Sequence, residues 1–144
     1  MDELKTAIKV LLANATVMYY KAHQFHWNVE GPNFVQYHDF LGEFYDSVWQ
    51  QTDAIAEKLR MLGVYAPVSL TRIHSLSDVQ ENDSILSARE MFMDLNVSND
   101  RFIVHLRAGI VAADDAQEPA VSNFLQDLLD KHQKHSWMLK SLIK

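Results

Sequence analysis

The chain reads as an all-α protein, a bundle of four long helices with a long crossover between the second and the third. Three observations predict this. Apolar residues recur at steps of three and four along most of the chain. With 4 Gly and 3 Pro in 144 residues, there is little turn chemistry for an all-β fold. One stretch between helical segments, Tyr65 to Asn82, is long for a helix connection.

Leu4, Ala7, Ile8, Leu11, Leu12, Ala15, Met18, Ala22 and Phe25 form one stripe, which predicts a helix from about Asp2 to Asn28. Glu30-Gly31-Pro32-Asn33 breaks it, and Asn33 is placed to cap a second helix. That helix continues through Phe34, Leu41, Phe44, Val48, Ile55, Leu59 and Leu62 until Gly63, which suits a left-handed C-terminal position. The crossover is expected to hold a short helix around Ser75 to Gln80. A third long helix is expected from about Ser84 to Ala113, capped by Asp83 or Ser84. The fourth runs from about Glu118 to Ile143, with Pro119 in its first turn. Two antiparallel pairs joined by one long crossover describe a ferritin-like bundle better than a simple up-and-down one. No repeat or linker interrupts residues 1–144, so one domain is expected.

The 19 acidic against 13 basic side chains set a formal charge of -6, which repels polyphosphate backbones and suits cations. The absence of cysteine excludes disulfides, thiolate metal sites and cysteine nucleophiles, leaving His, Asp and Glu as candidate ligands. The N-terminus has acids before its first apolar run and no small-residue cleavage site, and no window of 18 apolar residues occurs. A soluble, cytoplasmic protein is expected.

His26 lies near the end of the first helix and His38 near the start of the second, while Asp53 and Glu57 stand at i,i+4 on that second helix. Two imidazoles and two carboxylates suit iron or zinc. No Glu is followed by His three residues later, which disfavours a di-iron centre inside the bundle. His38 and Asp53 are fifteen residues apart on one helix, roughly 22 Å at about 1.5 Å per residue, so they cannot hold one ion within one chain. If two copies of this helix pack antiparallel across a two-fold axis, with residue numbers summing to about 91, His38 meets the partner's Asp53. The same register sets Gly42 against the partner's Trp49, and room for that indole is the expected reason for a glycine inside the helix. Tyr45, Trp49, Thr52 and Ala56 form a further stripe suited to such a contact.

The run His26-Trp27-Asn28-Val29, then Gly31-Pro32, Phe34 and His38, followed by Asp53, Ala56 and Glu57, closely resembles the signature of the Dps (DNA-binding protein from starved cells) family. Lys131 to Leu139 is similar to that family's closing helix, so the resemblance spans essentially the whole chain. It implies a hollow shell of twelve copies that oxidises Fe(II) with hydrogen peroxide or dioxygen and stores ferric mineral. It further implies that His26 and His38 come from one subunit and Asp53 and Glu57 from its two-fold mate, with Glu57 bridging two irons. Many relatives carry a carboxylate where this chain has Gly42, which leaves the second iron position short of a ligand. By the same similarity, Glu118 and Asp127 are candidates to line a three-fold iron pore. Tail-mediated DNA binding is not expected, since helix begins almost at Met1 and reaches nearly to Lys144.

His23 is read as a supporting or interface residue rather than a ligand, and His132 and His135 as packing or surface residues. Trp27 shields the metal site, absorbs an oxidising equivalent or simply packs, and Trp49 belongs to the subunit contact. Two competing classes stand beside the ferroxidase: a DNA-compacting shell, which the charge opposes, and a structural or zinc-holding assembly without catalysis.

Overall fold

The computed structural model describes all 144 residues, and it is all-α. Its helices are α1 (Asp2–Asn28), α2 (Phe34–Met61), α3 (Leu70–Leu76), α4 (Ala88–Asp115) and α5 (Pro119–Leu142). The four long ones form a bundle in which α1 packs along α2, α4 along α5 and α1 also against α4, while the short α3 lies on α1. Leu4, Ile8, Leu11, Met18, Ala22 and Phe25 of α1 are buried against Leu41, Phe44, Val48, Ile55 and Leu59 of α2 and the inner stripes of α4 and α5. The 3.6-residue period therefore marks a real core face. No helix is long and apolar enough to cross a membrane.

Helix ends follow local chemistry. After α2, Val64 N–H bonds to Leu59 O and Gly63 N–H to Arg60 O, a Schellman closure with Gly63 at φ +81°. After α4 the same pair of bonds runs from Glu118 to Ala113 and from Gln117 to Asp114, with Gln117 taking φ +58°. The expected start of the third long helix is corrected. It begins at Ala88 rather than Ser84, because Ser87 and Glu90 form a capping box, each side chain bonding the other's backbone N–H. The short crossover helix also lies earlier than Ser75 to Gln80, at Leu70–Leu76, because the Ser69 hydroxyl accepts from Arg72 N–H and starts it there.

The crossover is tied down by one buried side chain. Asn14 of α1 is fully buried; its Oδ1 accepts from Ser77 Oγ (2.8 Å) and Asp78 N–H (2.9 Å), and its Nδ2 donates to Asp78 Oδ1 (3.0 Å). Asp78 Oδ2 accepts from Arg101 Nε (2.6 Å) and His105 Nε2 (2.9 Å) on α4. Partial burial opposes ionisation of Asp78, yet the His105, Arg101 and Asn14 bonds hold its carboxyl below the ordinary range.

A second polar group lies in the core between α2, α4 and α5. His132 is fully buried, its Nδ1 2.7 Å from Asn99 Oδ1 and its Nε2 2.7 Å from Gln51 Oε1. Asn99 Nδ2 donates to the His132 carbonyl, so Asn99 presents its oxygen to the ring and the proton sits on Nδ1. A neutral ring then accepts at Nε2, which requires Gln51 to turn its amide N–H there. Burial holds His132 neutral, well below its ordinary value, and pushes the neighbouring His135 down to about 4.

Two outcomes are expected. Asn14→Ala removes one partner from three buried or half-buried groups at once, so chemical denaturation is expected to show a loss of about 1–3 kcal/mol, with the crossover the first segment to exchange its amide protons. Below the ordinary value of 6.5 the unfolded chain protonates His132 and His135 while the folded chain does not. Melting temperature is therefore expected to decline as pH falls from 6.5 toward about 4, more steeply than in a His135→Phe variant.

Candidate metal centre

The chain reversal between α1 and α2 is built from Val29, buried and extended, Gly31 at φ +121°, which side chains rarely tolerate, and Pro32. It sets His26, in the last turn of α1, on His38, in the second turn of α2. The two rings stack with centroids 3.6 Å apart and planes 19° apart. Each ring is also bonded to the other's backbone: His26 Nδ1–H donates to the His38 carbonyl (2.7 Å) and His38 Nδ1–H to the His26 carbonyl (2.8 Å). Because a carbonyl only accepts, both Nδ1 atoms carry protons, and in the neutral rings both Nε2 lone pairs are free. A carbonyl on the far nitrogen is the usual way a metal-binding histidine is held in one tautomer.

Other aromatic groups support the pair. Tyr45 meets His26 edge-on at 5.2 Å, His23 stacks flat on Tyr45 at 3.8 Å and 7°, and Tyr19 Oη lies 2.9 Å from His23 Nδ1. Burial, then the nearby His26, lowers the basicity of His23. His23 thus has a hydrogen-bonded supporting position, as its sequence reading holds. Trp27 and Trp49 are about half exposed, Trp27 beside His23 and Trp49 beside Tyr19.

Asp53 and Glu57 stand exposed one turn apart on α2. Pairing with the Asp53 carboxyl one turn away, followed by its charge, raises the proton affinity of Glu57. Two carboxyls one turn apart gather negative charge in one place, which a bound cation would relieve. The structure brings His26 to His38 and Asp53 to Glu57, but not the first pair to the second. The helix α2 runs unbroken between them, and no three His, Asp or Glu side chains of one chain come together as a metal-binding group.

One reading from the sequence is revised. The space beside Gly42 is taken by the chain's own His26: a Cβ added at residue 42 lies 3.2 Å from His26 Cε1 and 3.3 Å from its Nδ1. The glycine admits an imidazole from within the chain, and its presence no longer argues for the partner's Trp49 there. Glu118 is the N-cap residue of α5 without a capping side-chain bond, and Asp127 is exposed two turns on. His132 and His135 are packing residues, as read. The sequence did not reveal the reciprocal ring-to-carbonyl bonds, the Tyr19–His23–Tyr45 support or the Gln51–Asn99–His132 group. The Gly-Pro reversal between two histidines was the one available signal for the first of these.

A bundle with one long crossover and histidines gathered at the α1–α2 turn defines an all-α protein of the ferritin-like class. The ferritin-like domain model matches residues 5–144. The chain is 30% identical over 151 residues to the DNA protection during starvation protein of Brevibacillus brevis, covering 98% of this chain and 100% of that one. It is 32% identical over 138 residues to antigen TpF1 of Treponema pallidum, covering 92% and 76%. Its fold matches the crystal structure of Dps from Staphylococcus aureus with a TM-score of 0.96 and 29% identity, covering 100% and 97%. The chain belongs to the Dps family of ferritin-like proteins.

Proposed function

We propose that this protein is a mini-ferritin that oxidises Fe(II) with hydrogen peroxide or dioxygen at sites shared between two-fold related copies, and stores the ferric product in a shell of twelve. The observation that carries this reading is the division of donors along α2. Two imidazoles with free Nε2 atoms lie at one end and an exposed carboxylate pair lies about 22 Å away, so only a second antiparallel copy unites them. The exposed Trp49 of α2, with Tyr20 and Leu70 lining the same groove, gives such a contact apolar area to bury.

Iron is substrate and cargo here. His26 and His38 suit the ferrous ion as neutral donors, and Asp53 and Glu57 favour the harder ferric product. Two ferrous ions give one electron each to one peroxide, which takes up two protons and leaves as two waters, so no hydroxyl radical is released. Dioxygen serves as the slower two-electron acceptor on the same site. Zinc, which accepts the same donors but has no redox chemistry, is a competitor for it. Glu118 and Asp127 are the proposed lining of an iron entry pore, where three-fold symmetry multiplies each charge. Some relatives are named for DNA protection during starvation; with a charge of -6, protection of DNA here is assigned to iron removal rather than to phosphate binding.

Subunit mixing tests the shared site. His26→Ala and Asp53→Ala are each expected to lose fast peroxide-driven ferric absorbance while keeping their helical circular dichroism. When the two variants are dissociated and reassembled together, each mixed dimer regains one intact site, so about a quarter of the wild-type sites is expected to return. Full activity in either variant, or no recovery on mixing, overturns the proposal.

A further inference from the structure

Three valines stand open on one face of α4: Val97, Val104 and Val111 are 67%, 54% and 60% exposed. They recur every seven residues and so form one ridge along the helix, about 21 Å from first to last. Local preference does not account for them. Valine is a poor helix former, because its branched Cβ is restricted against the preceding turn, and on a solvated face it gains nothing from burial. None of the three lines the groove between α1, α2 and α3 beside Trp49, so they belong to a different surface from the contact proposed through α2. Val97 and Val104 instead border a groove shared with Val79 of the crossover.

The charges beside the ridge indicate what fits it. Asp100 and Arg107 are also seven residues apart and lie along one edge of the ridge, too far from each other on the helix to pair. Arg107 is exposed and makes no ion pair within its chain, while Asp100 is engaged only through Oδ1, by Ser136 Oγ at 3.2 Å. On the other edge, Arg101 is already neutralised by Asp78. Two helices packed antiparallel about a two-fold axis turn the same edge toward each other. With residue numbers summing to about 207, Asp100 meets the partner's Arg107, the relation repeats by symmetry, Val104 lies at the axis and Val97 faces the partner's Val111.

We propose that this face of α4 is a second contact between copies of the chain, in which two α4 helices pack antiparallel with Val104 at the axis and Asp100 of each against Arg107 of the other. Copies joined through α2 on one face and through α4 on another are linked in series, so this contact ties one α2 pair to the next. It needs no metal and stands apart from the shared-site reading.

The chain has no cysteine, which allows a direct test on the assembled, full-length protein. Single cysteines on the ridge report which residues meet, since a disulfide forms only where Cα atoms approach within about 7 Å. Under air oxidation with copper phenanthroline, Val104→Cys is expected to give a disulfide-linked pair. Val97→Cys alone is expected to stay unlinked, and Val97→Cys reassembled with Val111→Cys to link. Adding Arg107→Glu to Val104→Cys is expected to slow linking about ten-fold, and adding Asp100→Lys as well to restore it. The valines and Arg107 are exposed, so these changes are expected to leave the helical circular dichroism intact. No link in Val104→Cys overturns the pairing, whether its thiol labels quickly with maleimide, as on an open surface, or slowly, as under some other part of a neighbouring copy. Equal linking by Val97→Cys alone and Val104→Cys alone, or a rate unmoved by Arg107→Glu, overturns it too.

Discussion

A straight helix keeps its ends apart, and α2 is 28 residues of unbroken helix. It carries imidazole support at its start and carboxylates beyond its middle, and no bend or bulge brings these together. Whatever binds to all four side chains must do so across a contact between copies. In the proposed shared site, activity and assembly are one property, since damage to the subunit face would remove the ligands as surely as their mutation would.

The two histidines are held in place by the fold itself. Each ring donates to the backbone of the other helix, so the α1–α2 turn and the two tautomers hold one another in place. The ordering cost is met on folding rather than on binding. The carboxylate half differs: Asp53 and Glu57 are exposed, and the neighbouring Asp53 raises the proton affinity of Glu57, a repulsion that a cation would relieve. One rigid neutral face and one softer acidic face therefore meet at the proposed interface.

Elsewhere the bundle spends polar groups on uniqueness rather than chemistry. Asn14 joins the crossover to α1, Lys21 is buried with its ammonium 2.9 Å from Asp94 and Ser98 of α4, and His132 joins Asn99 to Gln51. Left unpaired, each would cost more than an apolar replacement. Paired, they admit one register of the helices and exclude slipped ones. That register in turn aligns α1 with α2 closely enough for two imidazoles to stack.

The sequence alone determined the four long helices, because a repeat of 3.6 in Leu, Ile, Phe and Ala is a local property of the chain and Gly31, Gly63 and Pro119 punctuate it. It also determined that His38 and Asp53 cannot meet within one chain, since that follows from helical rise and residue numbers. Ser87 with Glu90 and Ser69 show where it was misread: both starts are local caps, a Ser-x-x-Glu box for α4 and a serine hydroxyl for α3, passed over for the neighbouring Asp83, Ser84 and Ser75. Gly42 was misassigned because spacing along one helix reveals which residues share a face but not which neighbour fills the space before it. Tertiary structure put His26 there. The ring-to-carbonyl bonds, the His23 stack on Tyr45 and the buried Gln51–Asn99–His132 group depend on contacts between residues distant in sequence, whose partners are chosen by three-dimensional packing and not by any local preference of the chain.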